Sequence, residues 1–137
     1  MSEKLANIKK KGGGGQMTET VLWTNPSPTT SFTLQTITLS ENFTNYDYVR
    51  IYLKGSRTDN TECMIEVPSD KLKAAVTSVA YRPNIYIGGY DGNGTYQYVR
   101  RISYITDSSL SINSSYRINA AATNDNLFIP IKITGIK

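Results

Sequence analysis

The chain has 137 residues, 39% hydrophobic and only 19% charged, which fits one domain able to bury its own core and argues against a helical bundle. It has no histidine and a single cysteine, Cys63, so it lacks the commonest general base, the commonest metal ligand and any internal disulfide. Most of the +4 net charge sits in the first sixteen residues, where Lys4, Lys9, Lys10 and Lys11 stand against Glu3; the remainder is nearly neutral and shows no basic stripe for nucleic acid.

Residues 2–11, SEKLANIKKK, have the spacing of a short helix. Ser2 can cap it, Leu5 and Ile8 share a face, and the lysines fall at the end where the helix dipole favours cations. Gly12, Gly13, Gly14 and Gly15 then end it and form a flexible joint. About ten residues are too few for a stable isolated helix. The segment is either a leader without a role or a tether that orders on a partner. Residues 1–16 are therefore read as an arm and 17–137 as the folded domain.

From Thr18 the texture changes to strands and turns. VLWT is a short apolar run ended by NPSPTT, whose Pro26 and Pro28 belong to a turn or extended loop. In SFTLQTITLS the apolar positions change parity between Leu34 and Ile37, which predicts a bulge or a strand buried on both faces. ENFTN reads as a turn. In YDYVRIYLK, the clearest strand, Val49, Ile51 and Leu53 should face the core, with Tyr48, Arg50, Tyr52 and Lys54 outward. After the turn GSRTDN, TECMIEV places Cys63, Ile65 and Val67 inward and Glu62 and Glu66 outward. Cys63 thus reads as a small core residue rather than a reactive thiol.

PSDKLKAAVTSVAY reads as a loop or a helical turn from Ser69, passing into a strand over 76–81. NIYIGGY and TYQYVRRISYIT flank Asp91-Gly92-Asn93-Gly94, the strongest hairpin signal in the chain. SLSIN and YRINA follow as short strands. LFIPIKITGIK alternates Leu127, Ile129, Ile131 and Ile133, and Pro130 predicts a sheet edge or a bulge. Eight to ten strands at short spacing imply an all-β fold: a single β-sandwich, jelly-roll-like, preceded by a short helical or flexible arm.

No catalytic, metal or cofactor site is expected. Glu62 and Glu66 share a strand face but lie ~13 Å apart, whereas a glycosidase pair needs about 5–10 Å. The DGNG loop offers one carboxylate and reads as a turn, not a calcium loop. No run approaches ~20 apolar residues, and the N-terminus lacks a secretion signal's apolar core. The expectation is synthesis in a cytoplasm, with no membrane and no nucleic-acid partner.

Ten tyrosines are the remaining signal. Tyr86, Tyr90, Tyr96, Tyr98 and Tyr104 lie in or beside the one hairpin, with Arg100 and Arg101 among them. They read either as cross-strand packing or as a ligand or partner surface. Aromatic platforms flanked by Asn, Asp and Arg suit sugars. The two arginines could pair with Asp107 or with a partner's acids.

The segments ETVLWTNPSPTTSFTLQTITLSENFTNYDYVRIYLK and NDNLFIPIKITGIK resemble small structural proteins of tailed bacteriophages and prophages. These are tail, fibre or head-decorating proteins of phages that infect Gram-positive and gut bacteria. The arm, a Leu/Ile/Lys segment before a glycine run, is similar to how such proteins begin. The resemblance covers roughly residues 4–54 and 124–137 and contains no catalytic motif. It implies a structural role in the virion after synthesis in the bacterial host cytoplasm. Capsid or tail proteins would be the partners, and the chain would be a homo-oligomer, a trimer by preference. Attachment would run through Lys4, Leu5, Ile8, Lys9, Lys10, Lys11 and the glycines 12–15. The alternative is a receptor-recognition module of a tail fibre, with the tyrosine hairpin on host cell-surface carbohydrate.

Overall fold

The computed structural model describes residues 16–76 and 84–137. The arm residues from Lys4 to Gly15, and most of the strand expected over 76–81, lie outside the described residues. What is described is a sandwich of two antiparallel sheets.

The first sheet has the order β1-β9-β3-β4, formed by β1 (Glu19–Thr24), β3 (Tyr48–Ser56), β4 (Glu62–Pro68) and β9 (Leu127–Ile136). The second has the order β2-β7-β6-β5, formed by β2 (Gln35–Thr38), β5 (Ile85–Tyr90), β6 (Gln97–Thr106) and β7 (Ser109–Ile112), with the short β8 (Tyr116–Arg117) also on β6. A single 3-10 turn, Phe43–Asn45, precedes β3, and the short helix α1 (Ser69–Lys73) follows β4. The helical option for the PSDKLK stretch therefore holds.

The alternation of β3 does what its period demands. Val49, Ile51 and Leu53 are wholly buried and meet Leu22, Ile129 and Ile133 of their own sheet. Ile37, Ile87, Ile102, Leu110 and Ile112 close the core from the other sheet. Each such aliphatic side chain contributes about 1.5–3 kcal/mol when removed from water. Cys63 is half-buried against this core, and burial pushes its thiol above the ordinary value.

Two local expectations change and a third is narrowed to one of its alternatives. Lys54 is not outward: it is only 6% exposed, and its Nζ donates to the Arg57 carbonyl at 3.2 Å and Asn60 Oδ1 at 3.3 Å. The end of β3 runs beneath its own loop, which supplies the acceptors. The parity change before Ile37 is neither a bulge nor a doubly buried strand. β2 begins only at Gln35, so Phe32 is buried from a loop while Leu34 is exposed. Pro130 lies in the central strand β9, not at an edge, but it does sit at a bulge. Pairing with β3 passes from Tyr52–Lys132 to Leu53–Pro130, leaving Ile131 over. The neighbouring strand β1 has ended by then, and Asn25 Nδ2 caps the Pro130 carbonyl at 2.8 Å. The missing proline N–H is harmless there.

The sandwich has two distinct ends. At one, Thr18 and Lys137 exchange backbone hydrogen bonds of 3.1 Å, and Asp47 N–H donates to the Ile136 carbonyl at 2.8 Å. Ser69 N–H, at the start of α1, donates to Asp47 at the same end. At the other end the loops interlock: Phe32 N–H donates to Asp125, Arg57 N–H to Asn126, and Ile118 N–H to Gln97.

Candidate functional site

The β5–β6 hairpin forms as its turn chemistry predicts, through a connection spanning residues 91–96. Asp91 Oδ1 accepts from Thr95 N–H at 3.0 Å and Tyr96 N–H at 3.4 Å. Asp91 N–H donates to the Tyr96 carbonyl, and Gly94 takes the left-handed conformation that closes the turn, at φ 67°. The carboxylate is thus committed to its own loop.

The register pairs Tyr86 with Arg101, Ile87 with Arg100, Gly88 with Val99, Gly89 with Tyr98 and Tyr90 with Gln97. Because side chains alternate, Tyr86, Tyr90, Val99 and Arg101 share the outer face, and Ile87, Tyr98 and Arg100 the inner one. This divides the tyrosines. Tyr86, Tyr90 and Tyr96 are 43%, 60% and 47% exposed, and the Arg117 guanidinium covers the Tyr96 ring at 4.2 Å. Tyr98 and Tyr104 pack against the core. Tyr104 stands edge-on to Phe43 and donates to Asp107 Oδ1 at 3.0 Å. Asp107 takes Lys73 as its ion partner at 3.2 Å, not Arg100 or Arg101.

Arg100 is the clearest correction to the expected surface set: it is wholly buried. Its Nε donates to the Phe128 carbonyl at 2.7 Å. Nη1 donates to Phe32 and Asn113, both at 2.8 Å, and Nη2 to Leu127 at 3.0 Å and Asp125 at 3.3 Å. The guanidinium also lies 5.2 Å from the Phe32 ring centre. Burial pushes its pKa down to about 10, against the opposing pull of Asp125. A buried charge is tolerated only when its donors are satisfied, and these carbonyls satisfy them. Arg100 is a clasp for the loop end of the sandwich.

The clasp shapes the strand beside it. β6 pairs Ile102 with Ile112 of β7 and Val99 with Tyr116 of β8. Two residues, 100 and 101, therefore face three, 113–115: a bulge opposite Arg100 whose Asn113 carbonyl the guanidinium holds. Without the extra residue Tyr116 would pair with Tyr98 and point inward. With it, Tyr116 joins Val99 on the outer face.

That placement builds a cleft. Tyr86 from β5, Val99 from β6, Tyr116 from β8, and Ile118 and Asn119 just beyond enclose about 350 Å³. Asn119 takes the left-handed backbone at φ 64° that asparagine tolerates in turns. Burial pushes the Tyr116 phenol above its ordinary value, and the adjacent Tyr86 hydroxyl adds to this. Sequence reading found Tyr86 and missed Val99, Tyr116, Ile118 and Asn119. YRINA carries no aromatic cluster of its own, and its register depends on the bulge.

The outer face of the other sheet carries a polar ladder. Arg50 links Glu66, at 2.7 Å, to Glu19, at 3.0 Å, and Tyr52 and Thr134 both donate to Glu19 Oε2. Lys132 lies over the Tyr52 ring at 4.6 Å. These groups satisfy one another across all four strands, and Glu66 belongs to an ion pair rather than to a carboxylate pair with Glu62.

Fold and site together define an antiparallel β-sandwich with an aromatic cleft at the end away from where the described chain begins. No family model and no curated protein matches this chain.

Proposed function

We propose that the chain is a structural protein of a phage-type virion, a short fibre or a capsid or tail decoration. Residues 1–16 would anchor it and the β-sandwich would project from the particle. One observation carries this reading: the polarity of the domain. Thr18 joins Lys137 at one end, and the tyrosine hairpin closes at the other. β6 runs ten residues between the two ends, roughly 30 Å at strand spacing. A segment joined at Thr18 therefore leaves the hairpin facing away from the attachment point. The likeness of residues 4–54 and 124–137 to phage structural proteins supports the same reading. Their described parts, 16–54 and 124–137, contain β1, β2, most of β3 and β9, and β1, β9 and β3 are neighbours in one sheet.

Deleting residues 1–15 tests it. The expected outcome is a folded domain that no longer joins particles, read by cosedimentation. Incorporation at full occupancy would remove the anchoring role. The trimer implied by the resemblance is checked by sedimentation equilibrium of the full chain.

A second reading is a receptor-recognition module for host-surface glycans. The exposure of Tyr86, Tyr90 and Tyr96 beside the cleft favours it, because an apolar ring with a polar tip suits a sugar's mixed surface.

A further inference from the structure

We propose that the cleft between Tyr86, Val99, Tyr116, Ile118 and Asn119 binds one unit of a carboxylate-bearing saccharide, with Arg101 at its border taking the carboxylate. The inference rests on the receptor-recognition reading and deepens it by naming the site and the ligand class.

The cleft has the size and lining of a small-ligand site. Its volume of about 350 Å³ lies at the low end of the range such sites occupy, suiting one or two sugar rings rather than a folded partner. Val99, Ile118 and the two phenol rings give apolar surface for the C–H face of a sugar. The Tyr86 and Tyr116 hydroxyls and the Asn119 amide give donors and acceptors for its hydroxyls. Among the described residues no acidic side chain lines the cleft.

The choice of an acidic sugar comes from Arg101. It follows Val99 on the outer face and lies directly across from Tyr86. Its Nε is shielded from water and has no hydrogen-bond partner among the described residues. The contrast with Arg100 is sharp, since that side chain donates through all three of its nitrogens. A buried donor left without an acceptor is uncommon in folded proteins. The two terminal nitrogens of Arg101 are not shielded as Nε is and make no hydrogen bond among the described residues, so they offer a ligand carboxylate the planar, two-point contact that guanidinium prefers.

The test uses the full chain and four free sugars: glucuronate and N-acetylneuraminate against glucose and N-acetylglucosamine. Binding is followed by tyrosine fluorescence and saturation-transfer NMR. The acidic pair should bind saturably, about tenfold or more tighter than the neutral pair. Arg101→Gln should abolish that difference, and Arg101→Lys should restore only part of it. Ile118→Trp, at an exposed wall position, should block all four sugars while leaving the melting temperature unchanged. It keeps the test decisive if Arg101→Gln fails to fold. Equal binding of acidic and neutral sugars overturns the carboxylate assignment. Undiminished binding by Ile118→Trp overturns the site. If no sugar binds at concentrations well above a Kd of about 1 mM, which corresponds to about −4 kcal/mol, while the chain still adsorbs to cells, the inference fails and the receptor reading survives. Loss of both removes both.

Discussion

Arg100 and Tyr116 occupy opposite faces of the same sheet, and one bulge serves them both. The Arg100 guanidinium holds the Asn113 carbonyl at 2.8 Å, inside the three-residue stretch that faces residues 100 and 101. That stretch shifts the register of β8 by one residue and turns Tyr116 outward beside Val99. The inner clasp and the outer cleft are therefore parts of one device.

Replacing Arg100 should disturb both faces. Arg100→Met removes donors from five carbonyls and should cost at least about 3 kcal/mol of stability, read by urea unfolding. Arg100→Lys should recover little, because one ammonium cannot span that set. In any variant that still folds, the Tyr116 phenol should titrate nearer its ordinary value, read from phenolate absorbance. A variant with native stability would sink the clasp.

Tyrosine substitutions should split into two groups. Tyr98→Ala should lower stability by about 2–4 kcal/mol, since the ring packs on the core. Tyr90→Ala, on the exposed rim, should change it by no more than about 0.5 kcal/mol. Thermal unfolding of the two proteins side by side decides the point, and equal losses would contradict the division of faces.

Gly135→Ala should be poorly tolerated. The Tyr46 ring lies against Gly135 in the central strand β9, and an added Cβ would collide with it. Overpacking of this kind costs about 1–3 kcal/mol. Tyr46→Ala made together with Gly135→Ala should cost less than the two single losses added, a coupling that a double-mutant cycle measures.

Acid should weaken the polar ladder. The Tyr52 hydroxyl, then Thr134 and Arg50, hold the Glu19 carboxyl below its ordinary value of 4.5. A depressed carboxyl contributes stability that is present above its unfolded-state value and lost as pH falls through the lower folded value. Melting temperature should therefore drop on acidification below about pH 4.5. Glu19→Gln should flatten that drop. Because the ladder is partly exposed, the effect should be small and should shrink further in high salt. An unchanged acid profile in Glu19→Gln would show that the ladder adds nothing.

The residues by themselves determined the class of fold, through local chemistry. The alternation of Val49, Ile51 and Leu53, the turn residues around Asp91 and the helical start at Ser69 all act within a few positions. Each formed where its period and turn type required. The concentration of positive charge in the first sixteen residues, against a nearly neutral remainder, is likewise plain in the chain alone.

Only the tertiary structure decided which charged and aromatic groups are inside. Arg100 looked like a surface residue because its acceptors lie between 13 and 68 positions away in sequence. Pro130 pointed to an edge or a bulge, and the bulge in a central strand was decided by where β1 stops beside it, which nothing local reveals. Tyr116 carried no sign of the cleft, since its face turns on a single extra residue that an inward-facing guanidinium holds in place. Burial of a polar group depends on distant partners, and register depends on every residue before it. Neither is a property of a short window of chain.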